Sequence, residues 1–204
     1  MWTWSLNWGR ITDNLVIGTC PMTPYDLNRI QSEARASGVL SLQHDDCLSF
    51  WSINYAMMYR AGTEFGLVMS RCPIRDFDVP DMRKNLPAAI SMLANMLAPG
   101  YRVYVHCTAG MGRAPLVVLG YLTLVEGYPP ADAIRLILDG RPEAVPAWEA
   151  YYGCRDDLVE RHRKAIERQA YYLFKLGVHG NAHADWHQAQ AEILHSVLTQ
   201  RTAG

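Results

Sequence analysis

One stretch, residues 103–115, constrains the fold and chemistry of this chain more than any other. It begins with the apolar run Val-Tyr-Val, passes through a loop that holds two glycines, and opens onto a longer apolar run, Leu116 to Leu124. This order is typical of a buried strand, a tight loop and a helix, because β-branched and aromatic residues favour strands and a longer apolar run favours a helix. The loop holds one cysteine, Cys107, and an arginine six positions later, Arg113.

The residue types in this loop predict a site for a phosphate monoester. A thiolate is the reactive form of cysteine, and loop amides together with the positive end of the next helix would stabilise an anion. Gly110 and Gly112 would permit backbone angles and a close approach that a Cβ obstructs, and Arg113 would bind two phosphoryl oxygens. The predicted phosphate-binding residues are Thr108, Ala109, Gly110, Met111, Gly112 and Arg113.

We therefore predict that Cys107 attacks phosphorus and forms a cysteinyl-phosphate, which water hydrolyses without a metal or other cofactor. The alternative is a buried structural cysteine beside a tight turn. The combination of strand, glycines, arginine and helix disfavours that alternative. His106 ends a core strand, so we expect it to donate hydrogen bonds that shape the loop rather than to act as a general base.

A leaving alkoxide needs a proton, so this scheme requires a carboxylic acid on a nearby loop. Asp76, 31 residues before the cysteine, is the leading candidate, and Asp78 and Asp81 are its competitors. The alternative role of these aspartates is to cap the helix that is expected to begin near Met82, and this suits Asp81 best.

Short apolar strands alternate with helical segments along the chain, which indicates an α/β fold with a mainly parallel sheet flanked by helices. Strands are expected at 15–18, 39–43 and 67–74, and Pro73 indicates either a sheet edge or a strand end for the third. A polar loop is expected at 44–47 and helices at 24–36, 52–61, 82–97 and 130–138, with a further helix that follows the cysteine loop and ends near residue 126. After residue 156 only helices are expected, at 158–176 and 185–198, the second capped by Asp185. We therefore divide the chain into a catalytic domain, residues 1–156, and a helical appendage, residues 157–204.

Composition narrows the classes of function. The net charge is −1, so no basic field would attract nucleic acid or acidic membranes. No apolar run reaches the roughly 18 residues that span a bilayer, and the first residues do not resemble a signal peptide. The five cysteines are irregularly spaced, which argues against a disulfide framework. We expect a cytoplasmic protein with no nucleic-acid or membrane partner.

The sequence from His106 to Arg113 resembles the signature of the cysteine-dependent dual-specificity phosphatases. Its extension through Ala114 and Pro115 resembles the glucan phosphatase branch, which includes the plant starch phosphatases and, more distantly, laforin. Residues 13–21, 42–45 and 75–78 resemble the opening strand, the post-strand loop and the acid loop of the family, so the resemblance covers residues 6–160. It implies the dual-specificity phosphatase fold.

The resemblance also implies roles for individual residues. Cys107 would be the nucleophile, Arg113 the phosphate-binding residue and Asp76 the general acid. Aromatic residues that stack on glucose rings would stand at Trp8, Phe50, Trp51 and Phe77. The alternative for each is an aromatic residue that packs in the core or lies with its ring against the surface, and a core position suits Phe77 least because it stands between two aspartates.

The substrate implied by the resemblance is a phosphorylated glucan of the starch or glycogen type. Protein-directed members usually carry Ser or Thr after the arginine, whereas this chain has Ala114, as the glucan-type members do. The alternatives are a phosphatase of phosphotyrosine and phosphoserine or phosphothreonine in proteins, and a binding module without activity.

The C-terminal residues 165–194 resemble a short helical domain that is common in bacteria. His179, His183 and His187 are spaced by four, but Gly180 and Asn181 would interrupt a helix there, so no metal site is expected.

Overall fold

The computed structural model describes residues 3–178 and 180–200. Its strands are β1 (Trp8–Thr12), β2 (Leu15–Gly18), β3 (Gly38–Gln43), β4 (Val68–Ile74) and β5 (Val103–His106). They form one sheet in the order β1-β2-β5-β3-β4, in which β1 is antiparallel to β2 and the other pairs are parallel. The mainly parallel sheet is therefore confirmed, and β4, which holds Pro73, is an edge strand as expected.

The helices of the described part of the chain are α1 (Pro24–Ser32), α2 (Asp45–Phe50), α3 (Tyr55–Glu64), α4 (Val79–Leu97), α5 (Arg113–Leu124), α6 (Pro130–Gly140), α7 (Trp148–Leu176) and α8 (Ala182–Thr199). They cover both faces of the sheet. Helices α1 and α3 pack on a smaller core on one face, whereas α4 to α8 surround a larger core on the other. The structure thus has the flanking helices that the alternating sequence pattern predicts.

Strand β5 is buried on both faces because it lies in the middle of the sheet. Val103 and Val105 face the larger core, whereas Tyr104 faces the smaller one. This alternation follows from the two-residue period of a strand. All three side chains are completely buried, so the loop that follows β5 starts from a fixed position.

Two features of the N-terminal half differ from the sequence-based prediction. Residues 44–47, expected to form a polar loop, lead into α2, because the His44 side chain accepts a hydrogen bond from the Asp46 amide and caps this helix. Strand β1 has no counterpart among the expected strands. It exists because it pairs with β2 across a turn at Asp13 and Asn14, a contact that its own sequence pattern does not reveal.

Helix α7 begins ten residues before the expected position 158. Its first turns bury Ala150, Tyr151 and Cys154 in the larger core, to which α8 also contributes side chains. Gly177, with a φ of +67°, ends α7 as expected. The cap of α8 is Asn181 rather than Asp185, because Asn181 accepts a hydrogen bond from the amide of Ala184.

Because α7 continues without a break through residues 156 and 157, the division into two domains stays a prediction. Within residues 3–178 and 180–200, no helix is both long enough and apolar enough to cross a membrane.

Candidate active site

Cys107 follows directly from β5 and is buried, with 3% of its surface exposed. Arg113 is the first residue of α5 and is completely buried. The residues between them form the turn from strand to helix. The predicted order of strand, loop and helix is therefore confirmed, and it places both side chains in the interior at the carboxyl edge of the sheet.

Four carbonyl groups of this loop accept hydrogen bonds from donors outside it. The pairs are Cys107 with His106 Nδ1 (2.9 Å), Thr108 with the Cys20 amide (3.0 Å), Ala109 with Arg141 Nη2 (2.8 Å) and Met111 with the Val145 amide (2.7 Å). In a planar trans peptide the C=O and N–H groups point in opposite directions. Carbonyls that are held from outside therefore direct the next amides inwards, which is the arrangement that an anion-binding loop needs.

The structure gives different reasons for glycine at the two glycine positions of the loop, Gly110 and Gly112. Gly110 has a φ of +68°, and a Cβ there would lie 2.5 Å from the carbonyl oxygen of Gly18. Gly112 has a φ of −106°, and apart from its own neighbours in the chain no described residue has an atom within 4 Å of the position that its Cβ would take. The prediction of a special backbone angle is thus confirmed at Gly110 and wrong at Gly112. At Gly112 the other predicted reason for glycine, the close approach of an anion, stays a prediction.

The guanidinium of Arg113 is held by four acceptors. Nη1 donates to the Ile74 carbonyl at 2.9 Å and to Cys47 Sγ at 3.4 Å. Nη2 donates to Asp76 Oδ2 at 2.6 Å and to Thr108 Oγ1 at 3.2 Å. Nε has no hydrogen-bond partner among the described residues, so one N–H of the fork is free to bind an additional acceptor.

Asp76 is the anion that faces this buried cation. Its side chain is 34% exposed, whereas that of Arg113 is fully buried. Burial by itself would lower the pKa of Arg113, but the nearby Cys107 and Asp76 outweigh it and raise that pKa above its usual value. The site therefore keeps a permanent positive charge between the cysteine and the aspartate.

The loop that carries Asp76 joins β4 to α4 and is braced by two further aspartates. Asp78 caps α4 by accepting a hydrogen bond from the Asp81 amide at 2.9 Å. Asp81 in turn accepts one from the Arg75 amide at 2.7 Å. The expected capping role of Asp81 is therefore wrong, because α4 begins at Val79, three residues earlier than expected. Of the three aspartates, Asp76 contacts the buried arginine.

His106 is buried and neutral at pH 7. Burial lowers its pKa from 6.5 to about 4, and the acceptor at its Nδ1 is the carbonyl of Cys107, so this nitrogen donates. This is the loop-shaping hydrogen bond that the sequence predicts.

Two cavities open beside the loop, and Asp76, Phe77 and Ala109 line both of them. The first, of about 570 Å³, also has Phe50 and Trp51 in its wall. The second, of about 500 Å³, is lined in addition by Cys107, Met111 and Val145.

Three of the four predicted aromatic residues lie at the rim of these cavities. Phe77 is 95% exposed with a φ of +56°, and Phe50 is 79% exposed. The ring of Phe50 lies 5.3 Å from that of Trp51, centroid to centroid. Trp8 lines neither cavity; it packs at the edge of the smaller core against Tyr104.

Two contacts of the site have no counterpart in the sequence-based prediction. Cys47, at the start of α2, contacts Arg113, and Arg141, directly after α6, contacts the Ala109 carbonyl. Both residues are distant in sequence from the loop. The local pattern around each resembles that of an ordinary surface segment, so it carries no signal of this role.

The C-terminal histidines do not complete a metal site among the described residues. The Nε2 atoms of His183 and His187 lie 3.1 Å apart, and His179 lies outside the described residues. Across residues 3–178 and 180–200, no group of three or more His, Cys, Asp or Glu is arranged to hold a metal ion. The resemblance of residues 165–194 to a bacterial helical domain and the cytoplasmic location stay predictions.

Comparison with known sequences identifies relatives of this chain. Residues 45–152 match the family model described as dual specificity phosphatase, catalytic domain. The phosphoglucan phosphatase DSP4 of Castanea sativa is 32% identical over 163 residues, which cover 79% of this chain and 43% of the relative. Laforin of Mus musculus is 25% identical over 170 residues, which cover 78% and 52%. The chain thus spans about half or less of the length of these curated relatives.

Comparison with solved structures supports the same fold. The crystal structure of PTPMT1 superposes with a TM-score of 0.60 at 21% identity, covering 77% of this chain and 99% of that one. The active form of Tk-PTP gives a TM-score of 0.59 at 20% identity, covering 73% and 94%. The central sheet with flanking helices and the order of elements are therefore those implied by the resemblance in the sequence.

Proposed function

The chain belongs to the dual specificity phosphatase family, and we propose that it removes phosphate from glucose units of starch- or glycogen-like glucans. The observation that carries this proposal is the pair of cavities beside the predicted phosphate-binding loop, residues 107–113, called the phosphate loop below. Phe77 is exposed at the rim of both cavities, and Phe50 is exposed at the rim of the first. Two similar proteins, DSP4 of Castanea sativa and LSF1 of Arabidopsis thaliana, are named phosphoglucan phosphatases, which supports the choice of substrate.

Binding of the phosphate is the first step of the proposed mechanism. The amides of residues 108–113 surround the phosphoryl oxygens, and Arg113 binds two of them through its planar fork. One N–H of that fork, at Nε, is without a described partner, and Nη2 is bonded to Asp76. The incoming phosphate therefore displaces Asp76 from Arg113, and this leaves the carboxyl group next to the leaving oxygen.

Two chemical steps follow. Once released from Arg113, the Asp76 carboxylate takes up a proton from the solvent. The Cys107 thiolate then attacks phosphorus, the bond from phosphorus to the glucose oxygen breaks, and Asp76 passes this proton to that oxygen. Water then attacks the cysteinyl-phosphate, Asp76 takes one of its protons, the S–P bond breaks and inorganic phosphate leaves. Ala114 follows the arginine and is buried, so no hydroxyl group at that position assists the second step.

The aromatic rim supplies selectivity in this proposal. A glucan is uncharged apart from its phosphates, so charged side chains can grip little of it, whereas the C–H faces of sugar rings pack well on aromatic rings. Phe50 and Phe77 offer such faces to solvent. Trp8 stays a predicted contact residue, although it lies outside both cavity linings.

Phosphate release from several substrates tests the proposal. Phosphorylated amylopectin and glycogen would be compared with phosphotyrosine and phosphothreonine peptides and with p-nitrophenyl phosphate. We expect release from the glucans by the wild type and none by Cys107→Ser. Turnover of peptides without turnover of glucans would favour the protein phosphatase alternative. No turnover of any aryl phosphate in the presence of reductant would favour a binding module.

Variants of the rim then separate substrate recognition from chemistry. Phe77→Ala and Trp51→Ala should lower glucan dephosphorylation roughly 2- to 10-fold, the effect of one lost aromatic contact, and change aryl phosphate turnover less. Tyr172→Ala, which removes an exposed aromatic residue of α7, is the matched control and should alter neither activity. Equal losses on both substrates would contradict a role of these rings in glucan binding.

A further inference from the structure

A second buried arginine lies next to the phosphate loop. Arg141 is only 7% exposed. Its Nη2 donates to the Ala109 carbonyl at 2.8 Å and its Nη1 donates to Asn7 Oδ1. Its Nε has no hydrogen-bond partner among the described residues, and the nearest carboxylate, of Glu143, lies 3.9 Å away and is exposed. Both hydrogen-bond acceptors of this buried charge are neutral oxygens, and its carboxylate contact is long and exposed, an arrangement that costs free energy.

Asn7, the other partner of Arg141, is itself firmly anchored. Its amide donates to Thr19 Oγ1 at 3.1 Å, and the Thr19 amide donates to the Asn7 carbonyl at 3.0 Å. The hydroxyl of Tyr104, on β5, donates to the Thr19 carbonyl at 2.8 Å. Asn7 is thus tied to the end of β2 and to the strand that leads into the phosphate loop.

A close contact between β1 and the end of α6 brings Asn7 and Arg141 together. A Cβ on Gly9 would lie 1.7 Å from the Gly140 carbonyl oxygen, and a Cβ on Gly140 would lie 2.3 Å from the Arg10 carbonyl oxygen. The two backbones therefore touch at a point where neither residue has room for a side chain. Arg141 is the next residue after this contact.

We propose that Arg141, anchored by Asn7, is a positioning residue that fixes the Ala109–Gly110 peptide of the phosphate loop. The hydrogen bond from Arg141 holds the Ala109 carbonyl outwards. Because C=O and N–H are opposed in a trans peptide, the Gly110 amide then points into the loop. Gly110 has a positive φ and no Cβ to restrict its backbone. The orientation of this peptide therefore depends more than that of its neighbours on a hydrogen bond from outside the loop.

The proposal rests on the proposed phosphatase chemistry but does not depend on glucan as the substrate. Two variants test it: Arg141→Lys, whose single ammonium cannot span both partners as the guanidinium does, and Asn7→Ala, which removes the anchor and keeps the arginine. Tungstate affinity would be measured by calorimetry, and kcat and KM with p-nitrophenyl phosphate, well below each variant's melting temperature. Arg83→Lys, which weakens the Asp157 ion pair between α4 and α7, is the matched control.

We expect both variants to bind tungstate about 10-fold more weakly and to lose about 10- to 100-fold in kcat/KM, mainly through kcat, as misplaced catalytic groups do. Asn7→Asp keeps the oxygen acceptor and should therefore recover most of the activity that Asn7→Ala loses. A merely structural role of Asn7 would not require this recovery. Arg83→Lys should leave both values unchanged. Wild-type tungstate affinity and kcat in Arg141→Lys and Asn7→Ala would overturn the proposal. If the wild type hydrolyses the aryl phosphate but releases no phosphate from glucans, this result would instead count against the proposed substrate.

Discussion

Replacing Asp76 by alanine is expected to have two opposite effects, a less stable protein and tighter binding of phosphate-like anions. In the structure the Asp76 carboxylate accepts a 2.6 Å hydrogen bond from the fully buried Arg113. Without it the guanidinium keeps weaker acceptors on Ile74, Thr108 and Cys47. The same substitution removes the anion that an incoming phosphate displaces in the proposed mechanism.

The structure sets the size of both effects. A hydrogen bond to a charged group stabilises a protein by about 1.5–3 kcal/mol, and we reduce this to about 1–2 kcal/mol because the carboxylate is 34% exposed and partly screened. For a chain of this length that corresponds to a melting temperature lower by about 2–8 °C. Relief from competition should raise tungstate affinity by up to the same free energy, about 5- to 30-fold.

Thermal denaturation without added anion and calorimetric titration with tungstate measure the two effects. Asp78→Ala is the matched control, because it removes the cap of α4 and should cost about 1 kcal/mol of stability without changing tungstate affinity. Unchanged or weaker tungstate binding by Asp76→Ala would refute the competition argument. Asp76→Ala should also slow hydrolysis of poor leaving groups more than that of p-nitrophenyl phosphate; if Asp78→Ala shows that pattern instead, Asp78 is the acid.

Three further predictions concern the loop and the strand before it. Cys107→Ser should abolish turnover of every substrate while circular dichroism and melting temperature stay close to the wild type; retained activity would exclude a covalent intermediate at this residue. Gly110→Ala should lower stability by at least about 1 kcal/mol, because a left-handed backbone conformation costs roughly 1–2 kcal/mol for a residue with a Cβ and the new methyl group would meet the Gly18 carbonyl. Gly112→Ala is its control in denaturant titration and should be tolerated better.

The third prediction concerns the stability of the protein at acidic pH. Burial lowers the folded-state pKa of His106 from 6.5 to about 4. The unfolded chain then binds more protons between these pH values, so this contribution to stability is fully present above pH 6.5 and is lost as pH falls towards 4. It amounts to about 3 kcal/mol. Urea denaturation at several pH values should show a shallower acid loss in His106→Asn, and an identical slope would contradict the buried neutral imidazole.

Most of the sheet and the phosphate loop could be predicted from the sequence because they depend on local pattern. A strand buried on both faces reads as a continuous apolar run, and Gly110 and Arg113 stand at fixed offsets from Cys107. Strand β1 could not be predicted in this way, since its residues form a strand only by pairing with β2. The composition changes only near residue 156, so the sequence pattern places the start of α7 ten residues too late, although buried residues such as Tyr151 already belong to the helix.

The supports of the site were harder to predict than its chemistry. Arg141 and Asn7 lie on either side of the loop in sequence and meet beside it through a backbone contact of two glycines. Neither residue carries a motif, and their roles arise from tertiary packing. The role of Asp78 as cap of α4 was missed by a small shift in the helix start, which is the least reliable part of any assignment from sequence.

Another residue at the position of Phe77 would make the folded protein more stable. Its backbone lies in the left-handed region, where glycine or asparagine incurs less strain, and its ring is almost entirely in water, where a small polar side chain would expose less apolar surface. Two separate penalties thus fall on one residue, and substitution by asparagine would relieve both. We therefore expect the benefit of this side chain to come from contact with a molecule that binds at the rim.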